Sequence, residues 1–137
     1  MATEPPVGDP GVDDSGLQTR KFQRELSAGL TSLVLLAVLA DADEDLYGYE
    51  IARRLTGDPA SVGPFKQGAL YPVLRNLSAA GMLSSRVVPS YSGPPRRYYR
   101  ITPLGREALA AWRGTWHQTR DFVDATLDRS AAPETTP

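Results

Sequence analysis

The segment QGALYPVLRNLSAAGML, Gln67 to Leu83, carries leucines at 70, 74 and 77, with Gly81 beyond its end. That 4-and-3 spacing is the mark of an amphipathic helix with one packed face. With Leu70 taken as the inward direction at about 100° per residue, Leu74 and Leu77 stay within about 40° of it. Tyr71 then lies about 100° away, Arg75 about 140° and Gly68 about 160°. One face therefore packs, while the adjacent face presents Gly, Tyr and Arg. Pro72 has no N–H and clashes with the preceding turn unless it lies in the first turn of a helix. The spacing thus predicts a regular helix beginning near Leu70, after a tighter turn.

The charge around this segment is one-sided. From Ser61 to Arg106 there are seven Lys or Arg and no Asp or Glu. The whole chain has a net charge of −1, so everything outside that block carries −8. A basic block in an otherwise acidic chain implies an anionic partner for one face only.

Outward from this segment, the remaining elements fall into place. Upstream, Leu17, Phe22, Leu26 and Leu30 predict an amphipathic helix over Leu17–Ala28, broken at Gly29. TSLVLLAVLA, Thr31–Ala40, reads as a second, buried helix with Thr31 or Ser32 as its cap. DADEDLYG follows; Asp41, Asp43 and Asp45 alternate as in a calcium loop, but Leu46 and Ala52 stand where that loop needs Gly and Glu. It reads instead as a solvated turn supplying acids to the N-terminus of the next helix. YEIARRLTG, Tyr49–Gly57, sets Ile51 and Leu55 on one face and Arg53 and Arg54 on the other, exposed or paired with Glu50. DPASVGPF is a loop. After Gly81, MLSSRVVP and RRYYRI are strands of a hairpin bounded by Pro89 and Pro94-Pro95. Thr102-Pro103 caps and opens a last helix. Leu109, Trp112, Trp116, Thr119, Val123 and Thr126 give that helix a coiled-coil-like seam.

Three helices, a β-hairpin with a basic face and a long final helix describe a mainly α winged helix-turn-helix. Its third helix is expected in the DNA major groove and its hairpin at the backbone or minor groove. The expected division is a disordered tail at 1–16, a winged helix-turn-helix with its N-terminal helix at 17–102, a dimerisation helix at 103–129 and a second disordered tail at 130–137. Both ends are rich in Pro, Gly or polar residues and poor in large apolar ones. Cysteine is absent, so disulfide and thiolate chemistry is excluded. The N-terminus lacks a basic-then-apolar signal pattern, and the longest apolar run, Leu33–Ala40, falls short of the roughly 20 residues a membrane span needs. A soluble, cytoplasmic protein without a membrane partner is expected.

Four motifs in order resemble the PadR family of bacterial transcription regulators: Tyr47-Gly-Tyr-Glu-Ile51, Gly68-Ala-Leu-Tyr-Pro-Val-Leu74, Ala80-Gly-Met-Leu83 and Arg96-Arg-Tyr-Tyr-Arg-Ile-Thr-Pro-Leu-Gly105. The resemblance covers roughly Leu30 to Trp116. It implies a dimeric DNA-binding protein, usually a repressor, whose C-terminal helix pairs two subunits. It also implies that a small molecule can release the DNA in some members. One helix after the wing is similar to the short-form members. Where the family often has a Ser or Thr cap before Gly-x-Leu-Tyr-Pro, this chain has Lys66-Gln67, which adds a cation.

The expected DNA-binding residues are Tyr49, Lys66, Gln67, Gly68, Tyr71, Arg75, Arg96 and Arg97. Gly68 admits the DNA backbone, Tyr71 can donate to a phosphate, and Arg75 can reach a phosphate or a guanine edge. Tyr47 and Tyr49 are open between core packing and phosphate contact. In a flat ribbon only one of Arg96 and Arg97 faces DNA, and only one of Tyr98 and Tyr99 packs beneath the wing. Phe22, Leu26, Leu109, Trp112, Trp116 and Val123 are the expected dimer interface. Trp112 and Trp116, one turn apart, read either as dimer-core packing or as a stacking site for a flat aromatic or apolar effector at the dimer centre. His117 has no clustered Cys or carboxylate, so no metal, cofactor or catalytic set is expected, and the chain is not read as an enzyme. The partners expected are a pseudo-palindromic double-stranded operator, a second copy of the chain and such an effector. The alternative is a winged-helix module that binds another protein and little DNA. A weaker third reading is an enzyme or ligand carrier built around the tryptophans.

Overall fold

The computed structural model describes residues 10–56 and 67–131 of the chain. Helix α1 spans Pro10–Ala42, strand β1 Leu46–Tyr47, helix α2 Gly48–Thr56 and helix α3 Gln67–Ala79. Strands β2, Leu83–Val88, and β3, Arg96–Ile101, form the hairpin, and helix α4 runs over Pro103–Ala131. The sheet order is β1-β3-β2, antiparallel throughout. This is the expected mainly helical winged helix-turn-helix.

The core sits where the three shorter elements close on the second half of α1. Leu35, Leu36 and Leu39 of α1 are fully buried against Ile51 and Ala52 of α2 and Leu70, Leu74 and Leu77 of α3. The register Leu46↔Tyr99 and Leu83↔Ile101 puts four more buried side chains on one sheet face. Because side chains alternate along a strand, Tyr47, Arg86, Tyr98 and Arg100 occupy the other face. The α3 leucines pack as their spacing predicts, so the direction in which Gly68, Tyr71 and Arg75 point is set by burial.

Helix α1 differs from its expected form. It is one helix, and Gly29 does not interrupt it. Glycine inside a helix costs about 1 kcal/mol relative to Ala, but it keeps both backbone groups. Burial of the following leucines outweighs that cost. Thr31 does not cap a new helix; its hydroxyl donates to the Ser27 carbonyl at 2.6 Å within the same one. The helix also begins at Pro10, inside the stretch 1–16 expected as a tail, and proline is well suited to a first turn. At the other end α4 reaches Ala131, two residues into the second expected tail. The Asp14–Ala42 part of α1 is long and apolar enough to cross a membrane, yet its leucines at 35, 36 and 39 form the centre of the core.

Helix α3 starts at Gln67, three residues before the expected start, with Pro72 inside it. The bond that Pro72 cannot donate would have gone to the Gly68 carbonyl, and Gly68 is exposed. The missing bond therefore leaves an acceptor facing solvent, not a buried orphan. At its far end Gly81, at φ 84°, turns the chain in the left-handed region. The Gly81 N–H donates to the Ser78 carbonyl at 3.0 Å and the Met82 N–H to the Leu77 carbonyl at 2.9 Å.

Thr102 joins the end of α3 to the start of α4. Its hydroxyl accepts from the Gly105 N–H at 3.0 Å, the expected cap, and donates to the Gly81 carbonyl at 2.6 Å. Gly105 is buried there, and a Cβ at this position would collide with the Met82 carbonyl. Gly105→Ala is therefore expected to lower stability by about 1–3 kcal/mol, since backbone has to move. Thermal unfolding followed by circular dichroism measures this.

Candidate nucleic-acid interface

Beside α3, the start of α2 and the near end of β3 enclose a hollow of about 410 Å³ lined by Tyr47, Gly48, Tyr49, Tyr71, Arg75, Arg96, Arg97 and Tyr99. Five of the eight residues expected at a DNA face thus meet here. Gly68 lies exposed near the start of α3, with open space where a Cβ would be. Lys66 and the side chain of Gln67 lie outside the described residues. Tyr47, which its sequence position leaves open between packing and phosphate contact, also lines the hollow, as does Tyr99, which no sequence pattern assigns to it.

Each side chain has a local reason for its place. Tyr71 is half-buried, and its ring rests on Gly48: a Cβ there would lie 2.5 Å from Tyr71 Cε1. Tyr47 and Tyr49 stack with centroids 6.2 Å apart, and Tyr47 meets Tyr98 at 5.5 Å. The Arg96 guanidinium lies over the Tyr47 ring, 4.6 Å from its centroid. Stacking fixes the plane of a guanidinium and leaves its N–H edges free for a phosphate. Arg97 donates to Ser85 Oγ at 3.1 Å. Tyr99 is the tyrosine that packs beneath the sheet, while Tyr98 is half-buried on the outer face.

Both Arg96 and Arg97 line the hollow, contrary to the expectation that only one would. Strand β1 is two residues long and stops at Tyr47, opposite Tyr98. Past that point the edge of β3 is open, so side chains from either face can reach around it.

The cations of the acid-free block fall into two groups. Arg86, Arg100 and Arg106 are bound by acids of the turn between α1 and β1. Asp45 takes Arg86 at 2.7 Å and Arg100 at 3.2 Å, and Asp43 takes Arg106 at 2.8 Å. Glu44 pairs with Arg54 at 3.4 Å. Asp43 and Asp45 thus clasp the wing and α4, and Glu44 holds the far end of α2, whereas the sequence predicts acids serving the N-terminus of α2. Glu50 does not pair with Arg54; its carboxylate accepts from the Tyr47 N–H at 3.1 Å. Among the described residues Arg75, Arg96 and Arg97 have no carboxylate partner. Within the acid-free block, the described arginines left without an acid are thus the three that line the hollow, a separation that sequence alone does not reveal.

The hydrogen bond from Arg86 holds the Asp45 carboxyl below its usual pKa; burial opposes this, and the bond from Arg100 adds to it. A lowered folded-state pKa means that the stabilisation is complete above the unfolded value of about 3.9 and is lost as pH falls through the folded value. Surface pairs contribute about 0.2–1 kcal/mol each. Asp45→Asn is therefore expected to melt a few degrees below the parent at pH 7. The gap should close in acid below the folded pKa, as melts across a pH series would record.

Residues 35–111 match the transcriptional regulator PadR-like family. The chain belongs to this family. It is similar to the transcriptional regulator Rv3488 of Mycobacterium tuberculosis, 40% identical over 93 residues, covering 66% of this chain and 75% of that protein. Its fold is similar to a PadR family transcriptional regulator from Eggerthella lenta, with TM-score 0.63 and 28% identity over 88% of this chain and 98% of the other. A transcriptional regulator from Clostridium thermocellum gives TM-score 0.61 at 27% identity, over 74% and 96% of the two chains.

In this PadR-like chain α4 leaves the body beyond Trp116, and every residue from His117 to Ala131 is exposed. Of the expected dimer residues, Leu109 and Trp112 pack partly against the chain's own core. Phe22, Leu26 and Val123 are exposed, at 61%, 41% and 44%. Phe122 and Leu127, which the sequence reading passed over, add 70% and 57% exposed side chains to the same helix end. Trp112 and Trp116 are half-buried and line a cavity of about 510 Å³ between α1 and α4, with Glu25, Leu26, Gly29 and Leu30 across from them. The two tryptophans thus line a cavity walled by two helices of one chain, whereas the sequence reading expects them at a dimer centre.

Proposed function

We propose that this PadR-like regulator is a sequence-specific DNA-binding repressor that acts as a dimer and blocks promoter access. The observation that carries the reading is the hollow where Arg75, Arg96 and Arg97, none with a carboxylate partner among the described residues, converge with tyrosines beside the exposed side of α3. Guanidinium and phenol groups are phosphate donors, and Arg75 is also placed to reach a guanine edge once α3 enters a major groove. Residues 17–102 would supply this face and 103–129 the pairing helix. Two such faces on a dimer would address half-sites about 34–36 Å apart on a pseudo-palindrome.

A footprint of the full chain on DNA around its own gene tests this. Protection of a two-fold repeat, with affinity falling steeply as salt rises, is the expected result. A chain that protects nothing at low salt would be a protein-binding module instead. The cavity beside Trp112 and Trp116 supports a further part of the reading, a flat aromatic or apolar effector that weakens DNA binding. Such a ligand must prefer the dimer geometry that does not fit the operator. Quenching of tryptophan fluorescence by planar aromatics, with operator affinity measured for each hit, tests that part.

A further inference from the structure

Most of the large apolar side chains left exposed fall on α1 and α4 or line the hollow beside α3; Tyr91 does neither. Its relative exposure is 110%, so the ring packs on none of the described residues. It stands at the tip of the connection between β2 and β3, three residues past Val88, which pairs with Arg96. Tyr91 opens the turn that closes the hairpin, so it stands at the free end beyond the last paired residues, Val88 and Arg96.

The tip is stiff and uncharged. Pro89, Pro94 and Pro95 each fix a φ angle, and Gly93 takes φ 156°, a conformation that other residues rarely adopt. Holding an aromatic ring out on such a loop reduces the ordering cost on binding. The nearest charges along the chain are the cations Arg86 and Arg96, and no acid lies between Ser61 and Arg106. Nothing there repels a phosphate backbone, yet nothing at the tip can hold one by charge. Contact at this point has to come through shape and a single hydroxyl.

We propose that Tyr91 enters the minor groove flanking the half-site read by α3, its ring acting as a wedge and its hydroxyl donating to adenine N3 or thymine O2. The inference rests on the DNA-binding reading above. A minor groove about 6 Å wide admits an aromatic ring edge-on, and arginines at its rim would hold the bordering phosphates. A·T and T·A pairs offer only acceptors there, whereas a G·C pair places the guanine amine in the way of a donor. The wing therefore adds an A·T preference outside the positions contacted by α3.

The test is selection from a random-sequence duplex pool by the full-length protein, Tyr91→Ala and Tyr91→Phe. The wild type should enrich a repeated core flanked by A·T pairs. Tyr91→Ala should enrich the same core without the flanks and bind the wild-type duplex about 2- to 12-fold more weakly, the range for one hydrogen bond. Tyr91→Phe should keep the wedge and lose most of the A·T preference. Duplexes with inosine·cytosine flanks, which lack the guanine amine, should bind the wild type like A·T and not like G·C. Identical motifs and affinities for wild type and Tyr91→Ala, or inosine flanks that behave as G·C, would overturn the assignment. A wild type that enriches no motif overturns the DNA-binding reading and this inference with it. Unchanged melting of Tyr91→Ala, expected because the ring packs on none of the described residues, separates these results from misfolding.

Discussion

Replacing Phe122, Val123 and Leu127 together by Asp is expected to turn a dimer into monomers and to lower operator affinity by about 10²–10⁴-fold. That range is what joining two binding modules contributes when both sites can be occupied at once. The three side chains are 70%, 44% and 57% exposed on a helix that has already left the body of its own chain. A stripe of this kind at the end of a helix wants a partner, and the chain's own core is out of reach. The substitutions remove that apolar surface and place new acids beside Asp121, Asp124 and Asp128, so two copies would also repel. Because the side chains are exposed, the winged domain should still melt as before. Light scattering reads the mass, and a gel shift on the footprinted duplex reads the affinity. A triple variant that remains dimeric would move the interface to α1, where Phe22 and Leu26 are the exposed candidates.

The parts of the fold legible in the sequence were those where one physical term dominates. Leu70, Leu74 and Leu77 mark the buried face of α3 because apolar spacing and burial are the same signal at a helix surface. Thr102-Pro103 was readable because a cap is local chemistry. Gly29 misled because local propensity favours a break, while the burial of Leu35, Leu36 and Leu39 acts on the whole helix. The turn at Asp41–Asp45 misled for a different reason. Asp43 and Asp45 bind arginines 41 to 63 residues away, and no local pattern records such pairing. The same limit applied to the candidate site. Sequence gave the acid-free block, but which of its arginines are held by carboxylates depends on tertiary contacts. The shortness of β1, which opens the edge of β3 to both Arg96 and Arg97, is likewise a property of the folded sheet.

Arg75→Ala is expected to cost about 1–3 kcal/mol per half-site if the guanidinium reads a base edge, about 5- to 150-fold in affinity. The side chain is exposed on α3, lines the hollow beside Tyr71 and has no carboxylate partner among the described residues, so its removal should leave the fold intact. Arg96→Ala makes the comparison informative. Arg96 is stacked on Tyr47 at the start of β3, on the wing and not on the helix that would lie in the groove, and suits a phosphate. Loss of a phosphate contact should weaken binding to all sequences alike and make the dependence of log affinity on log salt shallower by about one unit per contact. Loss of a base contact should instead relax specificity at one position in each half-site and leave non-specific affinity nearly unchanged. Titrations of both variants against the footprinted duplex and a scrambled one, at several salt concentrations, separate the two. Two phosphate-type results would make α3 a positioning helix and move base recognition to residues near its start. Unchanged affinity in both variants would remove the hollow from the DNA face.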